Sequence, residues 1–433
     1  MPIVLNAGQQ HIADEFFKFL FSPDKEMIID AGGGYGKTTV ISHIIDTVLS
    51  QYYHICEVTG TKAIYNSVVI TAPTNKATEV LAQQTKRPTQ TIYSYLNLKV
   101  QDNYKTGEST VIKTKGHTIK TNTVIFIDEY SGIDSVLLKH ILDSTFNCKI
   151  IYVGDQDQLL NVKSSSIPVI RPHVPMYTLT EPMRNKGHIP LMDLCAHLKA
   201  CVRSQTPVSI KLHKGVIDKL TDAEMGATIQ SYFQHANHDH RVLAYTNNRV
   251  IEYTDHIRSL RNLPPHFVKG EMVVNNSAIT LSDSLISVEE ELEILEIDQQ
   301  SSVIQVDPEY NPQLTLEVRY ADLKSSYGEY RNIPIPQNMD HFKSLIKYAQ
   351  QIKNWPLYFK LKNNYPDLRS QDAMTVHKSQ GSTYDTVFID LADLSTCRSL
   401  DVALRMLYVG VSRAKNRVVF YGELAPKLGI VYE

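Results

Sequence analysis

Residues 31 to 38 read Ala31-Gly32-Gly33-Gly34-Tyr35-Gly36-Lys37-Thr38, and the segments on either side decide the fold. Before them runs the apolar stretch Met27 to Asp30, short and bounded like a buried strand. After them Val40, Ile41, Ile44, Ile45 and Val48 recur at helical spacing. Strand, glycine-rich loop and helix in that order make a phosphate-binding loop. The glycines let backbone N–H groups turn inward, and the helix N-terminus adds partial positive charge. Gly32, Gly33, Gly34, Tyr35, Gly36, Lys37, Thr38 and Thr39 are therefore expected to cradle ATP, with Lys37 on the β- and γ-phosphates. Ala31 replaces the first glycine of the strict motif, and a residue that small still clears the turn.

A nucleotide site also needs a carboxylate beside the metal and a group to prepare the attacking water. The apolar run Val124 to Ile127 ends in Asp128-Glu129. Asp128 is expected to hold Mg2+ together with the Thr38 hydroxyl, and Glu129 to act as general base. The next strand leads into Gly154-Asp155-Gln156-Asp157-Gln158-Leu159, which places Gln158 at the same sheet edge as a γ-phosphate sensor. Far along the chain, residues 407 to 415 carry Arg413 at the start of a turn. An arginine from another domain would stabilise transition-state charge and couple hydrolysis to closure.

Other β-branched runs read as parallel strands: Ser67 to Thr71, Ile150 to Val153, Arg241 to Tyr245, Val387 to Asp390 and Val418 to Tyr421. With the helical patterns between them they predict alternating β and α, with sheets covered on both faces. Two regions break the rhythm. Residues 97 to 122 suit a protruding hairpin with its turn at Asp102 to Gly107, and residues 261 to 369 look like an inserted β-rich domain. The run Glu289-Glu290-Glu291 within that insert reads as a solvated edge.

A chain of 433 residues, 42% of them hydrophobic, can bury more than one core. Its N-terminus carries His11, Asp14, Glu15 and Lys18 where a signal peptide is apolar, and no long apolar stretch occurs. A soluble cytosolic protein without membrane contact is expected. The five cysteines lack zinc spacing and read as reduced thiols. A net charge of −2 gives no global pull on nucleic acid, so any such binding needs a local groove.

Together these segments resemble the RecD-like branch of superfamily 1 helicases. The matching stretches are residues 5 to 10, 31 to 39, 70 to 77, 91 to 94, 127 to 129, 154 to 159, 179 to 181 with Arg184, 244 to 247, 375 to 381 and 407 to 415, with Lys353-Asn354-Trp355 also similar. The resemblance implies an α/β protein with two RecA-like P-loop domains, an inserted hairpin and a small SH3-like insert. Residues 1–178 would form the first domain, 179–260 with 370–433 the second, and 261–369 the insert. It further implies that Gln9 recognises adenine and that Gln158, Arg184 and Arg413 contact the γ-phosphate. Single-stranded DNA would touch Pro73, Thr74, Asn75, Lys76, Thr91, Tyr93 and Ser94 on one side, and Thr375, His377, Lys378 and Ser379 on the other. Tyr93 replaces the usual histidine and could stack on a base, and Leu160-Asn161 replaces a frequent proline. Tyr104, at the hairpin turn, is the candidate strand-separating wedge.

The implied activity is ATP-driven 5′-to-3′ movement on single-stranded DNA with duplex unwinding in replication, repair or recombination. ATP and Mg2+ are the expected cofactors. Single-stranded DNA, duplex junctions and replication or recombination proteins are the expected partners of a monomer. Two rivals are a P-loop ATPase that regulates nucleic-acid assembly without unwinding and a small-substrate phosphoryl-transfer enzyme. The first needs neither Glu129 nor Arg413, and the second has no use for the paired segments at 70 to 77 and 375 to 381.

Overall fold

The computed structural model describes residues 5–160, 166–181, 189–236, 239–281 and 284–432. Two parallel sheets carry it. In the first the strands lie in the order Met176–Leu179, Glu26–Ala31, Lys149–Gly154, Thr123–Ile127, Ser67–Ala72 and Gln90–Thr91. In the second the order is Ile217–Leu220, Ala414–Tyr421, Tyr384–Asp390, His240–Ala244 and Ala373–Thr375.

Continuous apolar runs form these strands because both faces are covered. Met27 and Ile29 enter one core while Ile28 enters another on the opposite face. Val124 and Phe126 alternate with Ile125 and Ile127 in the same way. In the second sheet Val387 and Ile389 face one core and Phe388 the other. Each strand edge predicted from the sequence lies within four residues of the observed one.

The segment after the glycine loop departs from a plain helix. An α-helix over Lys37–His43 passes into a π-helical stretch at Ile44–Val48 and returns to α at Leu49–Val58. The wider turn keeps Val40, Ile41, Ile44 and Val48 buried against the first sheet.

The hairpin pairs Leu98–Asp102 with Ser109–Lys113. The insert is an antiparallel sheet in which Thr315–Ser325 is flanked by Ser302–Gln305, Glu291–Ile297 and Gly328–Pro336, continuing to Met272–Asn275 and Leu368–Ser370. It also holds two helices, Met339–Gln351 and Trp355–Asn364, that the β-rich expectation omitted. Phe342, Leu345, Ala349, Leu357 and Leu361 pack from them onto Leu316 and Val318. Pro356 sits in the first turn of the second helix, where no N–H is needed, so it starts that helix rather than breaking it.

The hairpin leans on the insert. Asn363 Nδ2 donates to Asp102 Oδ2 at 2.8 Å, and the Tyr104 ring meets Phe359 edge-on at 5.1 Å. Gly107, at φ +75°, lies against the Trp355 ring so closely that an added Cβ would fall 2.4 Å from it. Tyr104 keeps half its surface exposed while its ring is held from one side.

Candidate nucleotide and nucleic-acid sites

The glycine loop leaves the Glu26–Ala31 strand and becomes helical at Lys37, with Gly34 and Gly36 in the left-handed region at φ +85° and +82°. Only glycine adopts that conformation freely. A cavity of about 310 Å³ opens above it. Gly32, Gly33, Gly34, Gly36, Lys37, Thr38 and Thr39 line one wall, Asp128, Glu129 and Gln158 a second, and Gly381, Thr383 and Arg413 a third. Segments from the two ends of the polypeptide thus share one space. An added Cβ on Gly33 would lie 3.6 Å from Arg413 Nη2.

Each polar group is held by its own surroundings. Lys37 Nζ donates to the Ala31 carbonyl at 3.0 Å, curling back over the loop. Arg413 is buried; its Nε donates to the Val409 carbonyl at 3.1 Å and its Nη2 to Ser412 Oγ at 2.7 Å. The Thr38 hydroxyl donates to Gln84 Oε1 at 2.8 Å. Gln158 is buried with its carbonyl accepting from Arg405 Nη1 at 2.8 Å. Glu129 follows the strand end in the left-handed region at φ +54°, a conformation that costs a non-glycine residue about 1–3 kcal/mol and persists where packing enforces it.

Asp128 carries the metal question. Its Oδ1 is buried with no hydrogen-bond partner, and burial followed by the neighbouring Glu129 charge raises its pKa to about 6 against the pull of Lys37. A buried carboxylate oxygen and a hydroxyl bordering one cavity are hard donors that fit Mg2+, which takes few protein ligands and keeps water and phosphate for the rest.

Behind the loop lies a charge network. Asp30 accepts from the Tyr130 hydroxyl at 2.8 Å and from Gln156 Nε2 at 3.0 Å. Arg203 takes Asp157 in a fork, Lys199 lies 3.3 Å from Asp155 and 3.2 Å from Asp157, and the Tyr408 hydroxyl donates to Asp155 at 2.5 Å. Arg405 Nη1 also donates to the Gln156 carbonyl at 2.7 Å. Residues 154 to 159 from the first sheet are therefore clamped by the helices Ile189–Ser204 and Leu400–Ser412, which pack on the second. Sequence reading missed Gln84, Arg405 and Tyr408 as site residues, because nothing in local spacing marks which helix-borne side chain reaches a distant segment.

A second cavity, of about 630 Å³, crosses between the sheets beside the first. Pro73 and Thr74 line it from one side, Thr375, His377 and Lys378 from the other. Ala77, Glu129 and Gly381 border both cavities. Tyr245 and Asn247 also line it; the Tyr245 and His377 rings lie 6.4 Å apart at 36°, and burial lowers the His377 pKa. Their segment, 244 to 247, stood among the matching stretches, but no role had been attached to it.

The remaining candidates are placed as follows. Thr91 pairs in register with Ala72, next to Pro73, and its Oγ1 accepts from the Ser94 N–H at 3.0 Å. Tyr93 packs partly into the core, and Ser94 is exposed. Neither they nor Thr91 line the groove. Asn75 and Lys76 are engaged by the insert, at Ser287 (2.7 Å) and Glu291 (2.8 Å). Ser379 differs from its expected place: the short 3-10 turn Val376–Ser379 rotates it inward, where it is fully buried and donates to the Val376 carbonyl at 2.8 Å. Gln9 is buried outside the nucleotide cavity; its Oε1 accepts from the Asn6 N–H at 3.1 Å in a helix cap, leaving Nε2 without a partner. Tyr35 folds over Gly32 rather than into the cavity. Arg184 and Asn161 lie outside the described residues.

Residues 19–164 match the family model of an AAA domain, and residues 372–421 match that of the UvrD-like helicase C-terminal domain. The chain is 25% identical to the ATP-dependent DNA helicase dda of Enterobacteria phage T4, over 96% of its own length and 99% of that protein. It is 31% identical over 160 residues to the RecD subunit of the RecBCD enzyme of Buchnera aphidicola subsp. Schizaphis graminum, covering 33% of this chain and 24% of that one. The Pif1 helicase from Bacteroides, solved in complex with ADP-AlF3 and ssDNA, superposes with a TM-score of 0.51 at 14% identity, covering 100% of this chain and 95% of that one, a likeness of fold. No described helix is long and apolar enough to cross a membrane. The first family match takes in two walls of the nucleotide cavity and the second match the third wall, and with the full-length similarity to dda they support a superfamily 1 helicase of the Dda/RecD-like branch.

Proposed function

We propose that the chain hydrolyses ATP in the smaller cavity and uses the cycle to move 5′-to-3′ along single-stranded DNA in the larger one, opening duplex in replication, repair or recombination. The observation that carries this reading is Arg413 facing Gly33 across the cavity that holds Lys37, with a groove sharing the wall formed by Ala77, Glu129 and Gly381. In this reading residues 1–178 and residues 179–260 with 370–433 are two RecA-like domains, 261–369 an SH3-like insert, and the hairpin within 97–122 a strand-separating pin.

Lys37 would leave the Ala31 carbonyl for the γ-phosphate, and the N–H groups of residues 32 to 38 would hold the β-phosphate. Mg2+ held by Thr38 and Asp128 would neutralise phosphate charge. Glu129 would accept the proton of the attacking water, Gln158 would contact and sense the γ-phosphate, and Arg413 would take up charge as it spreads over the transferred group. Arg184 is assigned the same partner by resemblance alone, and Gln9 would meet adenine with its unpartnered Nε2. Within the groove Pro73 and Thr74 would grip the strand from one domain and Thr375, His377 and Lys378 from the other, and Asn75, Lys76, Thr91, Tyr93 and Ser94 would meet it outside the groove. Movement requires those grips to alternate with nucleotide state, since a ligand shifts an equilibrium only by its differential affinity. One chain contains every group named, so a monomer suffices.

Unwinding of duplexes bearing a single 5′ or 3′ tail, with ATPase rates measured with and without single-stranded DNA, tests the proposal. ATPase stimulation with opening only from the 5′ tail is expected. Opening from the 3′ tail alone rejects the polarity, and an ATPase indifferent to DNA rejects the motor.

A further inference from the structure

The acidic run at 289 to 291 is not a solvated edge. Glu291 Oε1 pairs with Lys76 Nζ at 2.8 Å, and Ser287 Oγ accepts from Asn75 Nδ2 at 2.7 Å. Glu289 and Lys378 both line the groove, and the Lys378 ammonium donates to Asn276 of the insert. The turn is built to stay there. Glu290 is buried, accepting from the Tyr330 hydroxyl at 2.7 Å and from the Ser287 N–H at 2.7 Å. The Glu289 N–H donates to the Asn275 carbonyl at 2.7 Å with its backbone at φ +64°, a conformation held by those anchors. On the same side Ser326 donates to Glu79 at 3.2 Å.

We propose that the 287–291 turn of the insert is an intramolecular competitor for DNA phosphate, its carboxylate at 291 occupying Lys76 and its carboxylate at 289 presenting negative charge to Lys378 until a strand displaces them. The proposal rests on the reading of those two lysines as phosphate contacts. Carboxylate and phosphate make the same kind of charge-assisted bond to an ammonium, so entry of DNA exchanges one anion for another. Burial works against the Lys76 charge, yet Glu291 and Glu289 hold its pKa above the ordinary lysine value. An exchange releases fewer counterions than binding at an open lysine, so it weakens the grip and blunts its dependence on salt. A grip that can be let go suits a protein that must release the strand in every cycle.

The test is fluorescence anisotropy of a labelled oligothymidylate across a KCl series with the full chain, its Glu291→Gln and Glu289→Gln variants, and the double variant. Glu291→Gln should bind about three- to tenfold tighter at low salt, with the slope of log affinity against log salt steeper by about 0.7 for the lysine freed, and Glu289→Gln should tighten binding by less. Unchanged affinity and slope in the double variant would overturn the proposal. Lys76→Ala, alone and combined with Glu291→Gln, separates this from failure of the underlying reading. If Lys76→Ala weakens binding while Glu291→Gln does not strengthen it, the competitor is rejected and the DNA contact stands. If Lys76→Ala changes nothing in either background, the contact at Lys76 is itself wrong.

Discussion

The two cavities are neighbours, yet they are finished to different degrees. In the nucleotide cavity two groups are left for a ligand: Asp128 Oδ1 is buried without a partner, and Lys37 is satisfied only by a backbone carbonyl six residues back. Lys378 in the groove, and Asn75 and Lys76 next to its Pro73-Thr74 edge, are already bound to side chains of the insert. The first site is pre-organised for its ligand, so affinity there is lost when a group is removed. The second must exchange partners, so removing a group can strengthen binding as well as weaken it.

The sharpest way to break that contrast is at Lys37. Lys37→Ala should abolish DNA-stimulated ATPase activity, a loss of three orders of magnitude or more measured by phosphate release. Arg413→Ala comes next: turnover should fall roughly 10³-fold while nucleotide affinity, read by titration of a fluorescent ADP, stays within about twofold. An equal loss in both would mean that Arg413 supports the ground state and not the transition state. In the groove the effects should be smaller. Tyr245→Ala should weaken single-stranded DNA binding by about 1–3 kcal/mol if its ring, beside His377, stacks on a base. Anisotropy unchanged by that variant would leave Tyr245 as a spacer. For DNA binding the smallest effect is that of Tyr408→Phe, which removes the 2.5 Å bond to Asp155 and should cost about 1–3 kcal/mol in urea unfolding while leaving DNA affinity alone. A change in DNA affinity there would place the charge network in the coupling between the cavities.

How legible each region was follows from its range in sequence. Strands such as Val124 to Ile127 were readable because burial on both faces leaves an unbroken apolar run. The nucleotide wall was readable because its constraints are local: Gly34 and Gly36 need positive φ, and Asp128 and Glu129 sit at a strand end. The groove was not, because which lysine is occupied depends on a turn more than two hundred residues away in sequence. The acidic run was misjudged for the same reason. Ser379 shares a short stretch with Lys378, and only the turn of the backbone decides which faces the groove. The insert's helices did carry a signal, in the spacing of Phe342, Leu345 and Ala349, but nearby prolines drew the reading toward strands.

Ala77, Glu129 and Gly381 face both cavities, so the septum between the two is a single residue thick. News of one occupant need not travel through a chain of intermediaries to reach the other. The same thinness constrains any remodelling: a bulkier side chain at Ala77 would intrude on both compartments at once, so neither can be retuned there in isolation.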